Sequence, residues 1–205
     1  MKKNSAPLPL GYSPLPPGTI ANVVTCLEMT ARPTESSRHQ PEAPGTLCRL
    51  RAEDLTLYRS IFRAVGEDWL WMSRLVMSDE DLSAILADDR VEAYAVMDGE
   101  GPVGLLELDF RETGTCELAF FGLVPDAIGK GAGRWLMNQA LERAWSAPVH
   151  RFWVHTCSFD HPAALGFYQR SGFRPYASFV EVIEDPRLSG KMRRDAARHV
   201  PLIAP

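Results

Sequence analysis

The sequence of 205 residues predicts an α/β (α+β) fold, in which a mixed, mostly antiparallel sheet carries helices on both faces. The first observation is an alternation of short β-rich runs with segments whose apolar residues recur at helical spacing. The second is the order of these segments from residue 46 onward: strand, two helices, three strands, helix, strand, helix and strand. The length suits one well-buried domain with short extensions, and the sequence shows no internal repeat.

The first three elements are a strand and two helices. Residues 46–51 are β-rich and form the predicted strand. Residues 53–65 place apolar side chains at helical spacing, and Gly66 ends this helix. Ser78 and Asp81 have the spacing of a capping box, which predicts the start of the second helix.

Three strands follow the second helix. Residues 91–97 and 102–110 form the first two, and Asp98-Gly99 between them is typical of a hairpin turn. Residues 115–124 form the third strand. Pro125 ends it, because proline has no N–H group to donate to a neighbouring strand.

Two helices and two strands complete the predicted order. Residues 133–147 place apolar side chains on one helical face. Residues 150–157 form a strand, and residues 161–171 form a helix that Gly172 closes. Residues 173–183 return to a strand.

Three segments are expected along the chain. Residues 1–45 form a Pro-rich N-terminal extension, in which residues 19–30 are predicted to form one strand that docks on the main sheet. Residues 46–183 form the main domain. Residues 184–205 form a C-terminal tail.

The composition limits the partners and the compartment. The net charge is −4, with 22 Lys and Arg residues against 26 Asp and Glu residues. Broad binding to nucleic acid needs a basic face, so we expect no nucleic-acid partner. No apolar run reaches the roughly 20 residues of a membrane span, and none follows the N-terminus at the length of a signal peptide. We therefore expect a soluble, cytoplasmic protein without a membrane partner.

Cys26, Cys48, Cys116 and Cys157 each lie in an apolar, strand-like run. No two of them have the spacing of metal ligands, so we expect no metal site. We interpret all four as buried, reduced thiols, which agrees with a reducing compartment.

A glycine-rich turn connects the strand that ends at Val124 with the next helix. Its residues are Gly129, Lys130, Gly131, Ala132, Gly133 and Arg134. Glycines let the backbone approach a ligand closely, and the free amides at a helix start attract an anion. The turn therefore predicts a pyrophosphate-binding loop, to which Lys130 and Arg134 add positive charge. A structural turn without a ligand is the alternative. The P-loop pattern G-x-x-x-x-G-K-[ST] does not occur in the sequence. The dinucleotide pattern G-x-G-x-x-G also fails, because Arg134 or Leu136 stands where its last glycine belongs.

With this turn the sequence resembles the GCN5-related N-acetyltransferase (GNAT) family. The cofactor motif of that family is [QR]-x-x-G-x-[GA], and residues 128–133 match it at both glycine positions. Ile128 replaces the polar first residue, which removes one contact to the pyrophosphate but keeps the loop. The preceding Val124-Pro125-Asp126 is also typical of the family.

A second motif of the family, [DN]-N-x-x-A-x-x-x-Y-x-x-x-G-F, corresponds to residues 160–173. The matching residues are Ala164, Tyr168, Gly172 and Phe173. His161 stands where the family commonly has an Asn that bonds the pantetheine arm. The resemblance covers roughly residues 46–183.

The resemblance implies that acetyl-CoA is the co-substrate. In the family, the strand before the loop diverges from the next strand, and pantetheine lies between the two and bonds main-chain groups. Phe121, Leu123 and Val124 occupy those positions here, and the Phe121 amide is the implied donor to the thioester oxygen. Since GNAT proteins are often dimers, a homodimer is possible.

Acetyl transfer to an amine needs a base, because a free alkyl amine is mostly protonated at neutral pH. Glu117 is the candidate base: it lies in an otherwise apolar strand, eleven residues before Ile128, as does the base of histone-type members of the family. A structural ion pair with an arginine is the alternative role of Glu117. Glu107 on the neighbouring strand is the rival base, and we interpret His155 as a buried histidine without a catalytic role.

Tyr168 is the candidate acid, because the tyrosine at this position in the family lies near the CoA sulfur. Its alternative role is that of a core aromatic residue. Trp69 and Trp71 lie between the first two helices, where the family covers its acceptor site. They predict an aromatic wall for the acceptor, with core packing as the alternative.

These observations together predict an acetyl-CoA-dependent N-acetyltransferase that moves an acetyl group directly to a primary amine. The acceptor is a small molecule or a peptide. The alternative is a catalytically silent acyl-CoA-binding module, which Ile128 and the two rival bases leave open. A different acyl donor is a third hypothesis.

Overall fold

The computed structural model of the chain describes residues 7–34, 41–99 and 101–204. Its strands are β1 Thr19–Met29, β2 Thr46–Leu50, β3 Val91–Met97, β4 Pro102–Asp109, β5 Thr115–Leu123, β6 Arg151–Cys157 and β7 Arg174–Glu184. Its α-helices are α1 Leu55–Gly66, α2 Ser73–Val76, α3 Asp79–Ala87, α4 Ala132–Ala144 and α5 Ala164–Arg170.

The strands form one mixed sheet in the order β2-β3-β4-β5-β6-β1-β7. β5 and β6 pair in parallel, whereas the other neighbouring pairs are antiparallel in the part of the chain that the structure describes. The predicted fold class, a mostly antiparallel sheet with helices on both faces, is confirmed.

Helix ends show where local signals are strong and where they are weak. The Ser78 side chain accepts a hydrogen bond from the Asp81 amide at 3.1 Å, which caps α3 as predicted. α4 ends at Ala144, three residues before the predicted end at residue 147. α5 begins later than predicted, because residues 161–163 form a turn before it.

The two faces of the sheet carry separate apolar cores. On one face, Tyr58, Phe62 and Val65 of α1 pack with α3 and with Leu105 of β4. They recur at intervals of three and four residues and therefore lie on one side of the helix. On the other face, α4 and α5 cover a core that includes Leu106 of β4.

β1 is an inner strand of the sheet. Leu27 pairs with Val154 of β6 on one side, and Val23 pairs with Val180 of β7 on the other. The strand predicted within the N-terminal extension therefore contributes main-chain hydrogen bonds to both neighbours. We propose that the folded unit begins at β1.

The segment after β7 folds around a buried arginine. The Arg187 side chain is only 2% exposed, and its Nη2 donates to Asp185 at 2.7 Å. It also donates to the carbonyl oxygens of Ala196, Ala197 and Val200. A small apolar cluster joins this segment to β1 and to the connection after α1; its buried members are Ile20, Leu70, Phe159, Met192, Ala196, Ala197 and Val200. The predicted tail therefore packs on the domain.

The prediction of four buried thiols is wrong for Cys48. Cys26 and Cys116 are buried, Cys157 is half-buried, and Cys48 is exposed. Cys48 lies on β2, the edge strand, where Leu50 at the end of the strand is buried but the residues before it are not. Within the described residues, no helix has the length and apolar character needed to cross a membrane.

Candidate active site

A cleft opens where β5 and β6 separate. The two strands pair from Thr115–Arg151 to Glu117–Trp153, and no pairing follows in the described residues. Beyond this point the rest of β5 pairs with β4, and the rest of β6 pairs with β1. The main chain of residues 118–123 therefore faces residues 154–157 across an open V.

A bulge in β5 sets which side chains face which side of this cleft. Leu108 of β4 pairs with Leu118, but Glu107 pairs with Phe120, so β5 carries one extra residue here. Such an extra residue shifts the alternation of side chains. As a result, Glu117 and Phe120 share the face covered by α1, and Phe121 faces α5.

The glycine-rich loop lies at the end of β5 and leads into α4. Gly129 and Gly131 have φ values of +85° and +86°, a region that favours glycine. The amides of Arg134 and Trp135 donate to the Gly131 carbonyl. In the part of the chain that the structure describes, none of the amides of residues 129–133 donates to a main-chain carbonyl. These free amides at the start of a 13-residue helix suit an anion.

The charged residues of the loop differ in orientation. Lys130 is exposed at the loop. The Arg134 guanidinium lies 5.4 Å from the Phe167 ring centre, and its Nη1 donates to the Ser171 hydroxyl at 3.3 Å. Burial, together with the nearby charge of Arg170, lowers the pKa of Arg134. Arg134 therefore contacts α5 in this structure, and the main chain and Lys130 are the groups open to a pyrophosphate.

The three residues expected along the pantetheine arm lie on β5 and at its end. Phe121 stacks on Phe167 at a ring distance of 5.6 Å. Leu123 is half-buried and lies near Gly133 at the start of α4. The Val124 amide already donates to the Val103 carbonyl at 3.0 Å, so Val124 has no amide free for a ligand.

Tyr168 lies on the cleft side of α5 and is buried, with only 7% of its surface exposed. Its ring contacts Phe121 at 6.2 Å and Phe173 at 5.9 Å. Burial and, secondly, the negative charge of Asp160 raise the pKa of Tyr168 well above its usual range. The phenol is therefore protonated at neutral pH, as a general acid must be.

Glu117 pairs with His155, and no arginine pairs with it among the described residues. The distance from Glu117 Oε1 to His155 Nδ1 is 3.5 Å, and the Glu117 side chain is 25% exposed. The interpretation of His155 as buried is wrong: its side chain is 37% exposed and stacks on Trp153. The reason is that these β6 side chains point away from the core that α4 and α5 cover. Glu117 also lines a cavity of about 380 Å³ at the paired end of β5 and β6.

Glu107, the rival base, is fully buried. Its Oε1 accepts a hydrogen bond from Arg74 Nη2 at 2.6 Å, and its Oε2 accepts one from the Tyr58 hydroxyl. Burial and the charge of Glu107 raise the pKa of Tyr58 well above its usual range. With both oxygens bonded, Glu107 is closed to an acceptor in this structure, whereas Glu117 is accessible.

The Arg74–Glu107 pair predicts a large effect on stability. Arg74→Met leaves a buried carboxylate with Tyr58 alone as its partner, so we expect the free energy of unfolding to fall by about 3–5 kcal/mol. The matched control is Arg63→Met at an exposed site of α1, which we expect to change it by less than about 0.5 kcal/mol. Urea unfolding followed by circular dichroism measures both. Equal losses in the two variants would show that the pair does not stabilise the fold.

Trp69 and Trp71 lie in the connection between α1 and α2, at different depths. Trp71 packs against Phe62 and Phe120, with ring distances of 5.5 and 5.4 Å. Trp69 lies edge-on to His161 at 5.3 Å and contacts His199 of the C-terminal segment at 5.4 Å. Trp71 therefore packs on core residues, as the alternative expects, whereas Trp69 does not; the role of the pair as an acceptor wall stays a prediction.

A sequence profile of the acetyltransferase (GNAT) family matches residues 57–173. The chain belongs to this family. Membership supports acetyl-CoA-dependent acetyl transfer in general. No curated protein sequence matches the chain significantly.

Solved structures share the fold of this GNAT chain. A functionally unknown conserved protein from Staphylococcus epidermidis ATCC 12228 superposes with a TM-score of 0.58 at 13% identity, over 82% of this chain and 64% of that one. A GCN5-related N-acetyltransferase from Sphaerobacter thermophilus gives 0.59 at 12% identity, over 80% and 52%. The PaiA N-acetyltransferase from Thermoplasma acidophilum, solved with coenzyme A, gives 0.52 at 16% identity, over 68% and 98%. The present chain thus spans less than two thirds of the first two proteins.

Two residues that contact the predicted site residues were not predicted from the sequence. Asp160 is the first residue of the second motif, and its carboxylate contacts both Trp71 and the end of β6. His199 lies outside the family profile but contacts Trp69. The motif position of Asp160 was a usable signal, whereas no local pattern marks His199.

Proposed function

We propose that this chain is an acetyl-CoA-dependent N-acetyltransferase that moves an acetyl group directly to a primary amine. The observation that carries this proposal is the open V between β5 and β6, which leads from the accessible Glu117 to the free amides of residues 129–133. An extended thioester arm with a pyrophosphate at one end fits such an arrangement. The buried Tyr168 lies on the other face of the same cleft.

The proposed residues divide the work of binding by chemistry. The free amides of the loop and Lys130 hold the pyrophosphate by hydrogen bonds and charge. The main chain of Phe121 and Leu123 faces the cleft and bonds the pantetheine arm. His161 lies beside Trp69, where its ring borders the same region. Its Nδ1 already accepts a hydrogen bond from the Ala163 amide, which leaves Nε2 for a ligand.

The transfer itself needs three groups of the chain. Glu117 takes a proton from the ammonium form of the acceptor, directly or through a water molecule, and the neutral nitrogen attacks the thioester carbonyl. The Phe121 amide stabilises the charge that forms on the carbonyl oxygen. The new C–N bond replaces the C–S bond, and Tyr168 gives its proton to the departing thiolate. The proton on Glu117 then leaves to solvent. The nitrogen loses a second proton as the amide forms, and through solvent this proton replaces the one that Tyr168 gave to the thiolate.

We place the acceptor on the sheet face that carries Glu117, Phe120 and Trp71. Trp71 packs directly on Phe120, so the indole forms a wall of that region. A cavity of about 410 Å³ lies beside Trp69; it is lined by Asp68, Trp69, Arg193, Asp195, Ala197, Arg198 and His199. The C-terminal segment therefore borders the acceptor side, and both small amines and peptide amines are candidates.

The base assignment predicts a pH-dependent loss. Glu117→Gln removes the proton acceptor, so we expect turnover to fall by about 10²–10⁴-fold at neutral pH while acetyl-CoA affinity stays unchanged. The loss should shrink at high pH, because the amine then deprotonates unaided. Initial rates of thiol release across pH, with a panel of candidate amines, measure this effect.

Glu112→Gln is the matched control for this prediction, since Glu112 is an exposed carboxylate that lines the same cavity. We expect it to keep full turnover. An undiminished rate for Glu117→Gln would remove Glu117 from the mechanism. If the unmodified protein binds acetyl-CoA in calorimetry but releases no thiol with any amine, the chain is instead an acyl-CoA-binding module.

A further inference from the structure

Asp160 joins three parts of the site. This residue lies in the turn between β6 and α5. Its Oδ2 accepts hydrogen bonds from the Thr156 hydroxyl at 2.8 Å and from the Cys157 amide at 2.9 Å. Its Oδ1 accepts a hydrogen bond from the Trp71 Nε1 at 3.1 Å. The first two bonds fix the carboxylate at the end of β6, and the third reaches the connection after α1.

The Trp71 indole is held on the opposite wall of the cleft. It packs on Phe120 of β5 and Phe62 of α1. Two glycines make room for it: a side chain at Gly66 would collide with the indole, and one at Gly122 would come within 3.3 Å of it. Trp71 thus belongs to the β5 side, whereas its hydrogen-bond partner belongs to the β6 side.

The Trp71–Asp160 hydrogen bond therefore spans the V at its open end. β5 and β6 share no hydrogen bonds there in the described residues, so this side-chain bond is a direct link between the two walls. Asp160 also lies close enough to Tyr168 for its charge to act on the phenol. One carboxylate thus contacts the acceptor-side wall and influences the proposed acid.

We propose that Asp160 is a positioning residue for acetyl transfer, which holds the Trp71 indole across the open end of the cleft and so fixes the acceptor wall relative to the reacting thioester. This role rests on the proposed function. It acts through Trp71, and Asp160 itself forms no bond with the reacting atoms. A misplacement of about 1 Å near a reacting centre can cost on the order of 100-fold in rate.

The test compares Asp160→Asn, Trp71→Phe and the double variant. Trp71→Phe keeps an aromatic ring but removes the indole donor. We expect each single variant to lower kcat/KM for the acceptor by about 10- to 100-fold, with an unchanged dissociation constant for acetyl-CoA. Because the two residues act through one bond, the double variant should lose no more than the worse single variant.

Trp145→Phe is the matched control. Trp145 lies at the end of α4, and its Nε1 has no hydrogen-bond partner in the described part of the chain, so the same substitution there removes no hydrogen bond. We expect it to keep kcat/KM unchanged. Circular dichroism and thermal unfolding check that each variant folds.

Three results would overturn the inference, two from kinetics and one from spectroscopy. The first is a pair of losses that multiply in the double variant, which would show that Asp160 and Trp71 act independently. The second is Asp160→Asn with full kcat/KM. A measurement without substrate separates this inference from the proposed function. In nuclear magnetic resonance, the indole N–H resonance of Trp71 should shift in Asp160→Asn, because its hydrogen-bond acceptor has changed. Wild-type protein without thiol release would reject the proposed function, while an unshifted indole resonance would reject the Trp71–Asp160 link itself.

Discussion

Gly131→Glu should abolish acetyl-CoA binding while the fold survives. The carboxylate would stand at the free amides of the loop and repel the pyrophosphate that they are proposed to hold. We expect the affinity to fall by about 100-fold or more, which corresponds to about 2.7 kcal/mol or more of binding free energy. Isothermal calorimetry with acetyl-CoA measures it.

Backbone strain is the main confounding effect of this change. Gly131 has a φ of +86°, and any side chain there is strained and lies close to Pro41. Gly190→Glu is the matched control, because Gly190 also has a positive φ of +72° and has no atom within 4 Å of the added Cβ. It adds the same charge and a similar backbone strain in the segment after β7 and outside the loop, so the affinity of this variant for acetyl-CoA should stay unchanged. Unchanged affinity in Gly131→Glu would reject the loop as the pyrophosphate site.

Tyr168→Phe should lower turnover by about 10²–10⁴-fold, the usual contribution of a general acid. The substitution removes only the hydroxyl, so the ring contacts with Phe121 and Phe173 remain. The acetyl-CoA dissociation constant should therefore change little. Raising the pH should not restore activity, in contrast to Glu117→Gln, because the missing group is a proton donor.

Tyr176→Phe controls for the loss of a phenol at an exposed position on β7. We expect full turnover from it. Steady-state rates of thiol release with an identified acceptor measure both variants. Full activity in Tyr168→Phe would mean that solvent protonates the thiolate and that Tyr168 serves only in packing.

The candidate site was predicted from sequence where its signals are local. The glycines at 129 and 131 are needed because the backbone there has positive φ, and the helix that follows supplies free amides. Both motifs of the GNAT family lie within short stretches of the chain, so the family could be identified. The site roles of Glu117 and Tyr168 stay predictions until the variants are measured.

Side-chain partners could not be predicted, because they join segments that are far apart in the chain. Glu107 finds Arg74 and Tyr58 across the interface between β4 and the helices above it. The Arg134 side chain contacts Ser171 and Phe167 near α5. No pattern in the neighbourhood of either residue specifies these contacts.

By itself, the sequence determined the fold class, the position of the glycine-rich loop, and the order of the elements from residue 46 except for the short helix α2, which it did not predict. These depend on periodicity, on capping residues and on glycine conformations, which act over a few residues. Only the tertiary structure decided that β1 is an inner strand, that the segment after β7 packs beside Trp69, and that Glu117 is accessible while Glu107 is not. The physical reason is that burial and hydrogen-bond pairing depend on which distant surfaces meet. Glu107 and Glu117 each lie in an otherwise apolar strand, so the local sequence does not show which of the two is buried.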